Sequence, residues 1–144
     1  MQLHRASLVL LAGVIASQFA GCGSSGPELA DVSGTITLDG QPLPKVGVVF
    51  RPVGEGKSPA YGGTNAEGKY TLLFSRDSKG AMPGDYEVDL EVTKYTKADI
   101  AEMKAEGNEP PPPVNIPKKY RQSGALKATV KSGSNTIDFP LDSK

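Results

Sequence analysis

The sequence predicts an all-β fold, a sandwich of about seven short antiparallel strands that carries one insertion. Glycine (17) and proline (12) together account for 29 of the 144 residues, which favours short strands joined by turns over a helical bundle. Segments that alternate apolar and polar residues with period two recur along most of the chain. A chain of 144 residues accommodates one domain with an adequate core.

Each predicted strand places apolar side chains at every second position, as expected for a strand with one buried face. The clearest is the strand at 85–92, where Tyr86, Val88, Leu90 and Val92 alternate with acidic residues. The predicted strands cover residues 32–38, 46–51, 60–64, 69–74, 85–92, 126–131 and 135–141. Because short strands of this kind bury their apolar faces when two sheets pack together, the pattern indicates a β-sandwich.

Turn and loop residues separate the predicted strands. Asp39-Gly40 ends the first strand with a turn signal, and residues 65–68 form a second turn. Two prolines within residues 41–44 lack the N–H that a ladder needs, so this segment is predicted as a connection or a sheet edge. The longer loops are predicted at 54–58 and 75–83.

Residues 95–117 interrupt the period-two pattern and are predicted to form the insertion. Thr96 and Asp99 fit a helix capping box, and helix-forming residues extend over 98–106. Residues 110–113 are four consecutive prolines, typical of a polyproline II segment. A stiff spacer is the favoured interpretation of these prolines, and a ligand for an aromatic-lined groove is the alternative.

Residues 1–21 are predicted to be a signal peptide. Arg5 supplies the N-terminal positive charge, and residues 8–15 form an apolar run that is too short to span a bilayer core, which needs about 20 residues. Residues 22–30 are predicted as a tether. The β-sandwich domain then covers residues 31–144.

The end of the predicted signal peptide, Phe19-Ala20-Gly21-Cys22, resembles the bacterial lipobox, with Phe19 in place of the usual leucine. The resemblance implies that Cys22 receives a diacylglycerol thioether and becomes the first residue of the mature chain. The alternative is ordinary cleavage that leaves a free thiol, which no second cysteine could pair. Gly23 after the cysteine is similar to signals that direct lipoproteins to the outer membrane of a two-membrane cell.

The charge composition excludes some partners. Lysine plus arginine (16) equals aspartate plus glutamate (16), and removal of the signal peptide takes away one cation, Arg5. No basic field is therefore available to attract nucleic acid. The predicted membrane contact is the lipid on Cys22, since acyl chains contribute about 0.8 kcal/mol per buried CH₂ and two or more chains hold firmly.

Three short motifs follow one another along the predicted strands. The first is Val32-Ser33-Gly34-Thr35-Ile36, which is followed by the Asp39-Gly40 turn and the predicted strand at 46–50. The second is Gly63-Thr64-Asn65-Ala66-Glu67-Gly68-Lys69-Tyr70. The third is Pro83-Gly84-Asp85-Tyr86-Glu87-Val88. Together they resemble a carboxypeptidase regulatory-like domain, a transthyretin-like sandwich common in bacterial surface lipoproteins. Asn65 stands where that family often has aspartate, a change that a turn tolerates.

The resemblance implies a mostly non-catalytic module, although the same architecture also hosts 5-hydroxyisourate hydrolase, which depends on histidines. The only histidine here is His4, inside the predicted signal peptide, so histidine-based nucleophile systems are excluded from the mature chain. Residues 54–58 resemble a phosphate-binding loop, but Arg51 stands where that motif requires glycine. No cofactor and no metal site are predicted.

The strand at 85–92 carries four carboxylates on one face. They belong to Asp85, Glu87, Asp89 and Glu91. A Ca²⁺ site or a glycosidase acid pair is one interpretation. The favoured one is a solvated sheet face whose acids meet Lys127, Lys131 or Lys69, because neighbours on this face lie about 6.5–7 Å apart.

Three tyrosines have distinct predicted roles. Tyr86, beside Pro83 and Gly84, is predicted to pack in the core or at a sheet corner, where its hydroxyl can donate to the backbone. Tyr61 and Tyr95 lie near loops and are the candidates for contact with a ligand, as a platform on which sugars stack. The alternative for both is an ordinary surface aromatic side chain.

Three functions are compatible with the sequence. The leading hypothesis is a non-enzymatic, lipid-anchored cell-envelope protein that presents the loops of its sandwich to other envelope proteins. The second is a carbohydrate-binding module for envelope polysaccharide, against which the absence of tryptophan counts. The third, least favoured, is a hydrolase that uses the carboxylates of residues 85–91.

Overall fold

Two β-sheets pack face to face and enclose the hydrophobic core, which confirms the all-β sandwich expected from the sequence. The structure is a computed structural model, and it describes residues 26–92, 94–110 and 112–144. The predicted signal peptide (1–21) and Cys22 lie outside the described residues, as does part of the predicted tether.

The described part of the chain contains eleven strands, one α-helix and one 3₁₀ turn. The strands are β1 (Asp31–Leu38), β2 (Gln41–Pro42), β3 (Val46–Pro52), β4 (Ala60–Gly63), β5 (Lys69–Thr71), β6 (Leu73–Ser75), β7 (Ser78–Lys79), β8 (Gly84–Val92), β9 (Leu126–Val130), β10 (Ser134–Thr136) and β11 (Phe139–Leu141). The helix α1 is Lys97–Ala105, and the 3₁₀ turn is Lys118–Tyr120. The strand bounds follow the period-two segments closely at β1, β3, β4, β8 and β9.

The first sheet is organised around β1. The strands β2 and β5 pair with β1 in antiparallel fashion, and β10 and β11 pair with it in parallel. The second sheet has the order β7-β6-β4-β3-β8-β9, and all its pairs are antiparallel. The parallel pairs differ from the antiparallel sandwich that the sequence predicts, because the chain returns from β9 to the same end of the sandwich at which β1 begins.

The predicted strand at 69–74 is two strands in different sheets. Here β5 pairs with β1 in the first sheet, whereas β6 pairs with β4 in the second. Leu72 is the residue at which the chain crosses between sheets, and its side chain is fully buried. Its N–H donates to the Val32 carbonyl (2.9 Å) and its carbonyl accepts from the Gly80 N–H (2.8 Å), so both of its backbone groups are satisfied outside β5 and β6.

The predicted strand at 135–141 is also divided, into β10 and β11. Between them the Asp138 carboxylate replaces a backbone carbonyl, because its Oδ1 accepts from the Thr35 N–H at 2.7 Å. The Ile137 N–H donates to the Ser33 carbonyl at 2.8 Å, which keeps the segment against β1. Period-two alternation continues through this irregularity, so the sequence alone does not indicate the break.

Two segments predicted without regular structure contain short strands. Gln41 and Pro42, within the segment 41–44, form the edge strand β2, one of the two alternatives that the prolines predict. The predicted loop at 75–83 contains β7, which extends the second sheet beyond β6. Two-residue strands lack the length over which an alternating pattern becomes visible.

The core is centred on Phe50, which contacts aromatic side chains of both sheets. Its ring centroid lies 5.7 Å from that of Tyr86, 6.3 Å from that of Tyr70 and 6.2 Å from that of Phe139. These tilted and edge-to-face arrangements are the ones that aromatic pairs prefer. The predicted role of Tyr86 is confirmed, since its buried ring packs in this cluster and its hydroxyl donates to the Met82 carbonyl at 2.7 Å.

The stability of the fold is expected to fall above about pH 10. Burial raises the pKa of Tyr70, and the nearby Asp138 carboxylate raises it further, so the neutral phenol is favoured in the folded state. Its hydroxyl donates to the Ile137 carbonyl at 2.6 Å. The contribution of Tyr70 to the free energy of unfolding is therefore fully present while the pH is below the pKa of an unfolded tyrosine, about 10. It is lost as the pH rises above that value, by up to about 1.4 kcal/mol per pH unit.

Urea unfolding between pH 8 and pH 11 measures this slope. Tyr70→Phe is expected to be less stable than the wild type at pH 8, since it loses the hydrogen bond to Ile137, and to show a shallower decline above pH 10. Parallel declines in the two proteins would show that Tyr70 does not control the alkaline stability.

Candidate functional site

The chain enters the sandwich at one end, here called the proximal end. The Ala30 N–H donates to the Ala81 carbonyl (2.8 Å), and the Asp31 N–H donates to the Gly133 carbonyl (2.9 Å). At the same end, β8 begins at Gly84, which pairs with Val130. The predicted tether therefore joins the domain beside the start of β8.

The opposite end, here called the far end, carries a groove of about 660 Å³. It lies where β8 ends and β3 begins, because Val46 pairs with Val92. The residues that line this distal groove are Lys45, Val92, Lys94, Tyr95, Ile100, Pro110, Pro112, Pro113 and Val114. Its walls are mostly apolar, and two lysines stand at its margin.

The insertion predicted at 95–117 forms most of the distal groove. The predicted capping box is confirmed: the Asp99 N–H donates to Thr96 Oγ1 (3.2 Å), and the Thr96 N–H donates to Asp99 Oδ2 (2.6 Å). These hydrogen bonds with Thr96 hold the pKa of Asp99 below its usual value. Ile116, only 1% exposed, anchors the end of the insertion in the core.

One lysine of the distal groove is held in an unusual backbone conformation. Lys45 has φ 57°, in the left-handed region that is rare for residues other than glycine. The buried Thr64 fixes this turn, since its hydroxyl donates to the Leu43 carbonyl (2.7 Å) and accepts from the Val46 N–H (2.9 Å). The Lys45 N–H in turn donates to the Thr64 carbonyl at 3.1 Å.

A second cavity, of about 760 Å³, lies along the side of the sandwich where β5 of the first sheet adjoins β4, β6 and β7 of the second. We call it the seam cleft. Its lining residues are Tyr61, Gly62, Gly63, Asn65, Lys69, Tyr70, Thr71, Leu73 and Lys79. Among the described residues, Tyr61 (52% exposed) and Leu73 (41% exposed) are two of the three large hydrophobic side chains that remain exposed.

The structure does not bring the two candidate ligand-contact tyrosines together. Tyr61 lines the seam cleft, whereas Tyr95 is half-buried in the distal groove. Sequence reasoning missed the lysines that accompany them, Lys69 and Lys79 in the seam cleft and Lys45 and Lys94 in the distal groove. Lys94 and Tyr95 are adjacent in sequence and could have been grouped, but the other lysines reach these cavities only through strand pairing.

The carboxylates of β8 lie on the outer face of the second sheet and contact side chains on neighbouring strands. Arg51 Nε donates to Asp89 Oδ2 in an ion pair, and Thr129 Oγ1 donates to Asp85 Oδ1 at 2.7 Å. Glu87 stands opposite Lys127 in the register of β8 and β9, but among the described residues neither Lys127 nor Lys131 forms an ion pair with these acids, and Ser123 Oγ donates to Glu87 Oε2 at 3.4 Å. The expectation for Lys69 is wrong, because Lys69 belongs to the first sheet.

The loop at 54–58 gives no support to phosphate binding. Lys57 Nζ donates to the Pro83 carbonyl at 2.7 Å, so its charge is directed at the backbone of the proximal end. Within residues 26–92, 94–110 and 112–144, no group of three or more histidine, cysteine, aspartate or glutamate side chains is placed to hold a metal ion. No helix in the described part of the chain has the length and apolar character needed to cross a membrane.

Comparisons with protein families, with curated proteins and with solved structures found no match to this chain.

Proposed function

We propose that the chain is a lipid-anchored, non-enzymatic protein of the cell envelope that uses a carboxypeptidase regulatory-like sandwich to present its far end to other envelope proteins. The observation that carries the proposal is the placement of the distal groove at the end opposite to the entry of the chain. A module attached through its N-terminus would hold that groove away from the membrane.

The length of the predicted tether supports this arrangement. Ala30 is eight positions after Cys22, so the chain reaches at most about 28 Å between the lipid and the fold. The nine residues of β8 run from the proximal end to the far end, a distance of about 27 Å. The proximal end would then face the lipid surface, and the distal groove would face outward.

The chemistry of the chain supports a role without catalysis. Its one histidine, His4, and its one cysteine, Cys22, both belong to the predicted export and anchoring signal. The acidic residues of β8 lie in a row on an outer sheet face, where Asp85 and Asp89 accept hydrogen bonds from Thr129 and Arg51. A glycosidase of the two-carboxylate type needs its acidic pair on either side of a bound sugar, and a row along an outer sheet face is not arranged that way.

Metabolic labelling with an alkyne analogue of palmitate tests the anchor. The full chain is expressed in a bacterial host with an active lipoprotein pathway, as the wild type, Cys22→Ser and Ser24→Ala. We expect label on the wild type and on Ser24→Ala, and none on Cys22→Ser, because the thioether requires the Cys22 sulfur. We also expect Cys22→Ser to leave the membrane fraction after the envelopes are broken.

Ser24→Ala is the matched control, since it alters a side chain two residues away and keeps the cysteine. Equal labelling of Cys22→Ser and the wild type would refute the anchor. Retention of an unlabelled Cys22→Ser chain in the membrane fraction would show that another part of the protein binds the membrane.

A second candidate function, carbohydrate binding, is favoured by one specific observation. Tyr61 exposes half of its surface beside Leu73 in the seam cleft, and polar side chains surround them. Sugar rings stack their C–H faces on exposed aromatic rings while their hydroxyls bond to nearby polar groups. This function is compatible with an envelope anchor and is independent of it.

A further inference from the structure

On the outer face of the second sheet, the apolar side chains of Val49, Tyr61 and Leu73 form a row that ends at Lys79. We call the three apolar residues the shelf. In the strand register, Val49 pairs with Tyr61, Tyr61 pairs with Leu73, and Leu73 pairs with Lys79. Val49 is 6% exposed but lies outside the main core cluster, whereas Tyr61 on the next strand and Leu73 on the strand after it stay exposed. The shelf therefore exposes one aromatic and one aliphatic side chain, Tyr61 and Leu73, and its cationic end, Lys79, lies in the seam cleft.

The seam cleft has an excess of positive charge. Lys79 lines it from β7 and Lys69 lines it from β5, and no acidic side chain is among the described residues that line it. Neither lysine forms an ion pair with another described residue, in contrast to Arg51, which pairs with Asp89. Two unneutralised ammonium groups around one cavity favour an anionic ligand.

Neutral polar groups complete the seam cleft. The Asn65 Oδ1 atom accepts from the N–H groups of Glu67 (3.1 Å) and Lys69 (2.9 Å), which orients its amide nitrogen for donation. Thr71 adds an exposed hydroxyl from β5. Gly62 lies so close to β5 that an added Cβ would come within 2.8 Å of the Thr71 carbonyl oxygen and 3.2 Å of Leu72 Cδ2, so the two sheets approach each other closely at this side of the cleft.

We propose that the seam cleft binds an acidic saccharide, a sugar ring that bears a carboxylate; this inference rests on the second candidate function. The C–H face of the ring lies on Tyr61 and Leu73, and its carboxylate lies between Lys69 and Lys79. A neutral sugar would use the shelf but leave both ammonium groups without a counter-charge. Uronic acid polymers combine the two features, an apolar ring face and one negative charge per residue.

Calorimetric titration of the detergent-purified full chain tests the proposal, with hexagalacturonic acid as ligand and maltohexaose as its neutral counterpart. We expect hexagalacturonic acid to bind and maltohexaose to bind at least about tenfold more weakly. Tyr61→Ala is expected to weaken binding of the acidic ligand about tenfold, through loss of the stacking surface. Lys79→Gln is expected to weaken it similarly and to reduce its dependence on salt concentration.

The distal groove supplies matched controls, because it holds a tyrosine and a lysine of its own. Tyr95→Ala and Lys94→Gln make the same chemical changes there and are expected to leave the affinity for hexagalacturonic acid unchanged. Thermal unfolding of each variant verifies that it is folded. The side chains of Tyr61 and Lys79 are exposed, so their loss is not expected to impair folding.

Several outcomes would overturn the inference, and they separate it from the other proposals. Equal affinity for the acidic and neutral ligands would support carbohydrate binding but contradict the proposed preference for an acidic sugar. Binding that is unchanged in Tyr61→Ala, or lost equally in Tyr95→Ala, would move the site away from the seam cleft. Failure of both ligands to bind would remove carbohydrate binding, and palmitate labelling at Cys22 would be unaffected by any of these results.

Discussion

Replacement of Gly34 by alanine is expected to lower the free energy of unfolding by about 3 kcal/mol or more. Gly34 lies in the middle of β1, where the chain that joins β10 to β11 crosses it closely. An added Cβ would collide with the carbonyl group of Ile137, coming within 2.6 Å of its carbon, and would lie 2.9 Å from Cε1 of Tyr70. The obstacle is mostly backbone, which cannot rotate aside as a side chain would.

Gly47→Ala is the matched control for this substitution. Gly47 is also inside a strand, β3, but its added Cβ would meet the Glu91 Cβ at 3.4 Å, an ordinary contact distance. We expect the control to be neutral or slightly more stable than the wild type, because alanine restricts the unfolded chain more than glycine does. Urea unfolding of both variants measures the difference, and equal stabilities would show that the approach of Ile137 is looser than described.

Segments with a strong local pattern could be predicted from the sequence alone. The strand β8 alternates without interruption, and its buried Tyr86, Val88 and Leu90 are the residues that the pattern assigns to the core. The capping box of α1 and the corner hydrogen bond of Tyr86 likewise depend on residues three or four positions apart. Because the residues that form these features are close together in the sequence, a short stretch of sequence is enough to predict them.

Features set by distant contacts could not be predicted. The division of β10 from β11 depends on the hydrogen bond from Thr35 to Asp138, which are 103 residues apart. The crossing at Leu72 depends on backbone partners in Val32 and Gly80. Nothing in the local alternation of either segment distinguishes a continuous strand from one that changes partners.

The residues of the candidate sites show the same difference between what local sequence indicates and what distant contacts determine. Tyr61 could be selected from the sequence because an aromatic residue near glycines and loops is a common ligand platform. Its companions in the seam cleft, Lys69 and Lys79, lie on strands of different sheets, and their proximity follows from the crossing at Leu72. A charge preference therefore becomes visible only once the strand register is known.

Truncation of Phe50 to alanine is expected to lower the free energy of unfolding by about 3–5 kcal/mol, the usual cost of Phe→Ala in a core. Phe50 is fully buried, and its ring contacts Tyr70, Tyr86 and Phe139, so the variant loses contacts with both sheets at once. A domain of this size has a total stability of about 5–15 kcal/mol, so the loss would be a large fraction of it. Thermal unfolding would show the midpoint lowered by roughly 10–20 °C.

Phe74→Ala provides the matched control, because it removes the same atoms from a half-buried position outside the core cluster. Its loss is expected to be about 1 kcal/mol, in proportion to the smaller apolar area that Phe74 buries. The difference between the free energies of unfolding of the two variants measures how much the cluster of four aromatic rings stabilises the packing of the sheets, beyond the effect of removing a phenyl ring elsewhere. If Phe74→Ala were as destabilising as Phe50→Ala, the sandwich would depend on β6 at its margin, and the crossing at Leu72 would become the centre of its stability.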